Sequence, residues 1–275
     1  LDAGKVSAGL AAAARGARKD GFLLHESGHV VPTNDAARAW LEMGVFDDLK
    51  RQNTRTYQSI MAEILGLPPA KCRYVLHQSD EEHARARAHL ERLGIDLDAP
   101  IVGLNTGAGG RWQLKQWRLE GFLELSTRLR QDLGAQVLLL GGKAERDRHE
   151  RLMAASPVPL FDAGNDNDVR HFAALVARCN VVVAGDTLAM HIALATGRRV
   201  VILFGPTSAA EIELYGLGEK VYPDMSCLGC YKERCDFVPT CMDLISVEMV
   251  AGAVERQLGG SRSRSRSRPL PLAVR

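Results

Sequence analysis

A short segment at 185–191 (GDTLAMH) carries the side chains best suited to bind an anion. Asp186 and Thr187 precede a predicted helix that starts at Leu188, and either side chain can cap it. The backbone N–H groups at 188–190 and the positive end of the helix dipole then suit a diphosphate. His191 lies one turn into the helix and can donate to a phosphate oxygen. The alternative is that Asp186 only caps the helix and His191 is an ordinary packed side chain.

A glycine-rich segment at 105–110 (NTGAGG) follows the apolar run Ile101–Leu104. Glycines let the backbone approach a ligand closely, although they also serve in plain turns. Their spacing departs from G-x-G-x-x-G, and the next strand ends in Gly141-Gly142 rather than in an acid, which disfavours an NAD-type dehydrogenase. Lys115 follows the segment, between two tryptophans. It can neutralise a phosphate, or its aliphatic stem can pack on the surface.

The carboxylate of Glu145 comes shortly after Gly141-Gly142, at the start of a predicted helix. Carboxylates at the ends of strands bind ribose hydroxyls in α/β proteins. A glutamate in the first turn of a helix also favours the helix dipole without any ligand. The sequence leaves both roles open.

Four of the six cysteines lie within 15 residues, namely Cys227, Cys230, Cys235 and Cys241. Four thiolates suit zinc or an iron–sulfur cluster. Their spacing, C-x2-C-x4-C-x5-C, is not that of two paired C-x-x-C units, and free thiols that pack as small apolar groups are the alternative. We therefore assign no metal and no cofactor from the sequence.

The elements that must position these residues are short apolar strands that alternate with helices. Strands are predicted at 101–104, 136–140, 160–161, 181–184 and 200–204, with helices at 119–132, 145–154, 168–178 and 188–196. Before them, helices are predicted at 5–17, 34–43, 54–65 and 79–93, with a strand at 29–31. The alternating part predicts an α/β fold with a parallel sheet covered on both faces. Ligands bind such sheets at the carboxyl ends of the strands.

Charge is unevenly distributed along the 275 residues. Five of the 35 basic residues lie at 259–275, which has no acid, so the rest carries 30 basic against 33 acidic residues. This excludes a domain-wide basic surface for duplex DNA, and no specific nucleic-acid partner is expected. The Ser/Arg repeat at 261–268 predicts a disordered tail over 259–275. No signal peptide and no apolar run near ~20 residues is visible, so we expect a cytoplasmic protein.

Taken in order, these segments resemble glycosyltransferase family 9, the ADP-heptose:lipopolysaccharide heptosyltransferases. The resemblance rests on 103–109 (GLNTGAG), 115–117 (KQW), 139–142 (LLGG) with Glu145, 181–191 (VVVAGDTLAMH), 203–207 (LFGPT) and the cysteine segment that ends at Cys241-Met242. It implies a GT-B architecture of two Rossmann-like domains, with the nucleotide-sugar donor on the C-terminal one. We expect the remainder of the acceptor-side domain at 1–97 and the donor-binding domain at 98–258.

The resemblance also implies the donor-binding residues, which are Thr106, Lys115, Glu145, Asn167, Asp186, Thr187, Leu188 and His191. Lys115 would face the diphosphate and stabilise it as a leaving group, and Glu145 would hold the ribose hydroxyls. Asp186, Thr187 and the backbone of Leu188 would hold the sugar and the diphosphate, with His191 beside the phosphates. Thr106 would touch phosphate, and the backbone near Asn167 would contact adenine.

The implied reaction is an inverting, metal-independent transfer of heptose, or a similar sugar, from an ADP-sugar to the lipopolysaccharide inner core. It would take place at the inner face of the cytoplasmic membrane. The family's catalytic base is an aspartate after the first N-terminal strand, and no residue of this sequence matches it. We therefore expect that base, with the first strands of the acceptor domain, in a segment N-terminal to Leu1. The alternative is a nucleotide-binding or interaction module without catalysis.

Overall fold

A computed structural model describes residues 2–68, 73–109 and 113–264, with side chains described as far as residue 259. The chain divides into two compact units. The smaller comprises Leu1–Arg73, Ser208–Glu213 and Cys227–Cys230, and the larger comprises Tyr74–Thr207, Leu214–Ser226 and Tyr231–Arg275.

The smaller unit is built from helices and a short hairpin. Its elements are α1 (Lys5–Ala13), β1 (Phe22–Leu24), β2 (Val30–Pro32), α2 (Asp35–Val45), α3 (Asp47–Gln52) and α4 (Tyr57–Ile64). Its core is formed by Ala8, Phe22, Ala37, Ile60, Met61 and Ile64. The predicted cap is confirmed, because the Asn34 side chain accepts a hydrogen bond from the Ala37 N–H at 2.9 Å.

The sheet of the smaller unit differs from the Rossmann-like remainder expected at 1–97. β1 and β2 pair antiparallel, with Leu23 opposite Val31. They are joined by a short turn in which Gly28 has a positive φ of 81°. Parallel strands need a long crossover connection, which this hairpin lacks. Among the residues described for this unit, no parallel strand pair occurs.

The larger unit contains the predicted alternation of strands and helices. Its elements are α5 (Asp80–Arg92), β3 (Ile101–Asn105), α6 (Leu119–Leu133), β4 (Gln136–Leu140), α7 (Arg146–Ala155), β5 (Leu160–Asp162), α8 (Val169–Val176), β6 (Val181–Gly185), α9 (Leu188–Ala195), β7 (Arg199–Leu203), β8 (Gly218–Val221) and α10 (Val247–Arg264). Short 3-10 turns at Gln113–Lys115 and Lys143–Glu145 precede α6 and α7.

Six strands form one parallel sheet in the order β5-β4-β3-β6-β7-β8. Every residue of β3, β4 and β6 is buried, as expected where helices cover both faces. The chain runs outward from β3 through β4 to β5, and then returns to place β6 on the other side of β3. The connections after β3 and β6 therefore lead in opposite directions, and a crevice opens between them at the carboxyl edge of the sheet.

The boundary between the two units differs from the sequence-based expectation. The larger unit begins at Tyr74 rather than at residue 98, because α5 packs on α8 of the same unit. The sequence-based expectation also lacks the strand β8 and the helix α10, although the apolar residues Val247, Val250 and Val254 recur at helical spacing in α10.

The helix α10 continues through Arg264 and so reaches into the segment 259–275, for which a disordered tail is predicted. Buried Val250, Ala253 and Val254 hold the preceding turns of α10 in place, and extending an existing helix costs little. Residues 265–275 lie outside the described part of the chain. Within that part, no helix combines the length and apolar character needed to cross a membrane.

Candidate functional site

A cavity of about 290 Å³ opens in the crevice at the carboxyl edge of the six-stranded sheet. All of its lining residues belong to the larger unit. They are Asn105, Gly107, Ala108, Gly109, Gly141, Gly142, Glu145, Asn167, Val169, Phe172, Thr187, Leu188 and Ala189. The predicted loops after β3, β4 and β6 thus meet at one site. The segment after β7, which also belongs to the resemblance, does not line it.

Glu145 is the one carboxylate among these lining residues. Its side chain is 92% buried, and its Oε2 accepts a hydrogen bond from the Gly142 N–H at 2.8 Å. Because Gly142 is itself the residue that precedes the 3-10 turn, this bond fixes the carboxylate against the end of β4. A buried carboxylate in a cavity favours a ligand that donates hydrogen bonds, such as a sugar hydroxyl.

Two glycines make room for that carboxylate. A methyl group on Gly107 would stand 2.1 Å from Glu145 Oε1 and 2.2 Å from its Cδ. A methyl group on Gly141 would stand 2.8 Å from Glu145 Cβ and 3.0 Å from Nε2 of the buried His149. Any other residue at these positions would therefore displace Glu145. The glycine-rich segments serve here as close-approach sites and not only as turns.

The N-terminus of α9 faces the same cavity, since Thr187, Leu188 and Ala189 all line it. Thr187 occupies the N-cap position, but its side chain makes no capping hydrogen bond. Its hydroxyl instead donates to Asn105 Oδ1 at 3.0 Å. The first N–H groups of α9 and the positive end of its dipole are therefore left without a side-chain cap.

Lys115 and Asp186 lie together in an ion pair next to this helix. Lys115 Nζ donates to Asp186 Oδ2 at 2.9 Å and to the Asp186 carbonyl oxygen at 3.1 Å. The two side chains retain only 12% and 21% of their exposure. Neither lines the cavity itself. The structure thus brings together a cation and an anion that are 71 residues apart in the sequence.

His191 is half-buried in the first turn of α9. Its Nδ1 lies 3.0 Å from the Tyr74 hydroxyl, and the two rings meet edge to face at 5.5 Å. Burial lowers the pKa of His191, while Asp186 raises it and Lys115 lowers it. His191 is thus a packed residue within electrostatic reach of the Lys115–Asp186 pair, although it does not line the cavity.

Asn167 and its neighbours form the far side of the cavity. The Asn167 side-chain amide donates to the carbonyl oxygens of Ala163 and Gly164 at 2.8 and 2.9 Å. Its side-chain donor is therefore used inside its own loop, and an adenine contact through its backbone stays a prediction. Val169 and Phe172 add apolar surface beside it, as a planar base would require.

Thr106 lies outside the cavity lining. It is 1% exposed, and in the described part of the chain its Oγ1 has no hydrogen-bond partner. Its backbone N–H donates to the Leu140 carbonyl oxygen at 3.3 Å. A role for Thr106 in phosphate binding stays a prediction.

The five described cysteines form no disulfide, and Cys72 lies outside the described residues. Within residues 2–68, 73–109 and 113–264, no group of three or more His, Cys, Asp or Glu side chains is placed to hold a metal ion.

Two contributors to the cavity were not singled out from the sequence. Asn105 carried a usable signal, since it is a polar residue at the end of an otherwise apolar buried strand. Phe172 lies one turn into α8, four residues after the N-cap Asp168, and nothing in its local sequence distinguishes it from a core residue.

A family model described as "Glycosyltransferase family 9 (heptosyltransferase)" matches residues 44–239, which is more than two thirds of the chain. Lipopolysaccharide heptosyltransferase 1 of Pseudomonas aeruginosa is 30% identical over 137 residues, 48% of this chain and 37% of that protein. Lipopolysaccharide heptosyltransferase 2 of Escherichia coli is 26% identical over 121 residues, 42% of this chain and 34% of that protein.

A solved structure of a glycosyl transferase family 9 protein from Veillonella parvula matches with a TM-score of 0.63 at 20% identity. The match covers 76% of this chain and 62% of that one, and at this identity it shows the likeness of the fold alone. This chain therefore spans less than two thirds of the length of each of these proteins.

Proposed function

This chain belongs to glycosyltransferase family 9, and from that premise we propose that its larger unit binds the nucleotide-sugar donor of a heptosyl transfer. The donor is ADP-heptose or a related ADP-sugar. The observation that carries the proposal is the cavity in which a buried carboxylate, an uncapped helix N-terminus and an apolar wall meet. These three features match the ribose hydroxyls, the diphosphate and the base of one ligand.

Each end of the ligand has its own partner in this proposal. Glu145 accepts hydrogen bonds from the ribose hydroxyls, and the backbone near Asn167 contacts adenine beside Phe172. The N–H groups at the start of α9 bind the diphosphate, because oriented N–H groups and the helix dipole favour negative charge. Asp186 accepts from the sugar hydroxyls, with Lys115 held at its side.

The proposed reaction is an inverting transfer without a metal. A hydroxyl of the lipopolysaccharide inner core attacks the anomeric carbon, the bond from that carbon to the diphosphate oxygen breaks, and ADP leaves. The hydroxyl proton passes to a carboxylate base. Lys115 and the start of α9 stabilise the negative charge that develops on the departing diphosphate. We propose the inner face of the cytoplasmic membrane as the place of this reaction.

Binding and turnover are tested separately. Isothermal titration with ADP and with ADP-heptose should show one site per chain, with UDP binding at least tenfold more weakly because a pyrimidine covers less of the apolar surface of Val169 and Phe172 than a purine does. Glu145→Gln should weaken ADP binding, whereas Glu150→Gln, which changes an exposed glutamate on the following helix α7, should not. Equal binding of UDP and ADP, or no binding at all, would reject the donor site.

A second candidate is a nucleotide-binding module that does not transfer the sugar. Glu145 is the one acid among the cavity-lining residues, and in our proposal it binds the ribose. No other carboxylate among those lining residues can then act as the base, and this observation favours the second candidate. The two candidates bind the same ligand and differ in turnover. Release of ADP from ADP-heptose in the presence of heptose-deficient lipopolysaccharide supports the transferase, and binding without release supports the module.

A further inference from the structure

Asn105 joins three elements at the carboxyl edge of the sheet. Its Nδ2 donates to the carbonyl oxygen of Leu140, the last residue of β4, at 3.1 Å. Its Oδ1 accepts from the hydroxyl of Thr187, the residue before α9, at 3.0 Å. Asn105 itself ends β3 and is 8% exposed. One buried amide therefore uses both of its polar ends to fix the surroundings of the cavity.

The bond to Asn105 changes what Thr187 does. At four other helices within the described residues, the N-cap side chain accepts a hydrogen bond from the N–H three residues later, namely at Asn34, Thr56, Ser79 and Asp168. Thr187 has the same extended backbone, with φ −142° and ψ 172°, and the same kind of side chain as Thr56. Its hydroxyl is nevertheless turned to Asn105 and makes no capping bond. A threonine N-cap normally satisfies one of the first N–H groups of its helix.

We propose that Asn105 is a positioning residue that holds the Thr187 hydroxyl away from the start of α9, so that the helix N–H groups remain available to the donor diphosphate. This inference rests on the proposed function. The ligand is indicated independently of the helix by Glu145, a carboxylate that is 92% buried in the same cavity. Without Asn105, Thr187 caps α9, and the diphosphate must displace that cap before it can bind.

The test is a rescue experiment on ADP binding. Asn105→Ala should weaken ADP binding by roughly fivefold, the equilibrium equivalent of one threonine N-cap. Adding Thr187→Val to Asn105→Ala removes the competing hydroxyl while it keeps the branched shape, so the double variant should recover most of that loss. If the double variant binds no more tightly than Asn105→Ala, the role of Asn105 is only structural and the proposal is wrong.

A second measurement separates this inference from the proposed function. Amide hydrogen exchange of Met190, the third residue of α9, reports the cap without any ligand. Exchange should slow in Asn105→Ala and return to the wild-type rate in the double variant. Unchanged exchange in Asn105→Ala would overturn the inference even if ADP binds, and absence of ADP binding to the wild type would instead reject the proposed function. If Asn105→Ala does not fold, Asn105→Leu takes its place in both measurements, because leucine fills a similar volume. The same results in binding and in exchange then support or overturn the inference.

Discussion

The Gly107→Ala substitution should remove Glu145 from its binding position without touching Glu145 itself. The added methyl group would stand 2.1 Å from Glu145 Oε1, 2.2 Å from its Cδ and 2.4 Å from its Cγ. Real Cβ atoms do not show such distances, so the Glu145 carboxylate must move from its position in the cavity. A hydrogen bond to a charged group contributes about 2 kcal/mol, which corresponds to roughly 30-fold weaker binding of a ligand that depends on it.

Gly142→Ala is the matched control. It adds the same methyl group to a neighbouring glycine of the same cavity, but that group would lie 3.5 Å from Glu145 Oε2, an ordinary contact. Gly142 has φ −110°, which alanine adopts freely, and its N–H still donates to Glu145. Isothermal titration with ADP should therefore show the large loss for Gly107→Ala and a loss of less than about threefold for Gly142→Ala. Equal binding by the two variants would refute the role of Glu145, provided that thermal unfolding shows both to be folded.

Three further outcomes follow from the charge and burial of other groups. Burial, reinforced by neighbouring arginines, lowers the pKa of both His89 and His171, whose rings stack with nitrogens 2.9 Å apart. The stability that this pair contributes is complete above about pH 6.5 and is lost as the pH falls. The free energy of unfolding measured in urea should therefore decline towards pH 5, and His171→Gln should reduce that decline. A free energy that does not change with pH would contradict this. Hydrogen bonds from Arg170 and from the Ser79 N–H lower the pKa of the Glu82 carboxyl to about 2. Arg170→Gln should raise that pKa towards 4.5 in an NMR titration. An unchanged pKa would exclude the Arg170–Glu82 pair as the cause. Burial raises the pKa of Cys179 to about 12. Mass spectrometry after iodoacetamide treatment of the native protein should therefore find Cys179 unmodified while half-buried thiols react. Early labelling of Cys179 would be inconsistent with its packing.

Local chemistry made much of the larger unit predictable. Ser79 and Glu82 form the capping box that their spacing indicates, with both reciprocal hydrogen bonds present. The strand Gln136–Leu140 has the predicted bounds, because its apolar residues Val137–Leu140 lie between the turn at Gly134 and the pair Gly141-Gly142. Such features depend on residues that are neighbours in the sequence, so a single sequence contains them.

Contacts between residues far apart in the sequence could not be predicted. The sequence offered separate roles for Lys115 and Asp186 but not their ion pair, which the adjacency of two loops creates. The hydrogen bond between Asn105 and Thr187 likewise joins residues 82 apart. The hairpin strand Phe22–Leu24 was missed because three residues are too few to show alternation.

The central claim is that Glu145 binds the ribose hydroxyls of the donor. It is tested most directly by a double-mutant-type cycle that removes the hydroxyls from the ligand and the carboxylate from the protein, separately and together. ADP and 2′,3′-dideoxy-ADP are titrated into the wild type and into Glu145→Gln. If Glu145 holds the ribose, removing the hydroxyls should weaken binding to the wild type by about tenfold or more and should weaken binding to Glu145→Gln by much less, since the charged acceptor is already gone. An equal loss of affinity in both proteins would show that the ribose does not contact Glu145, and the donor site would have to be placed elsewhere.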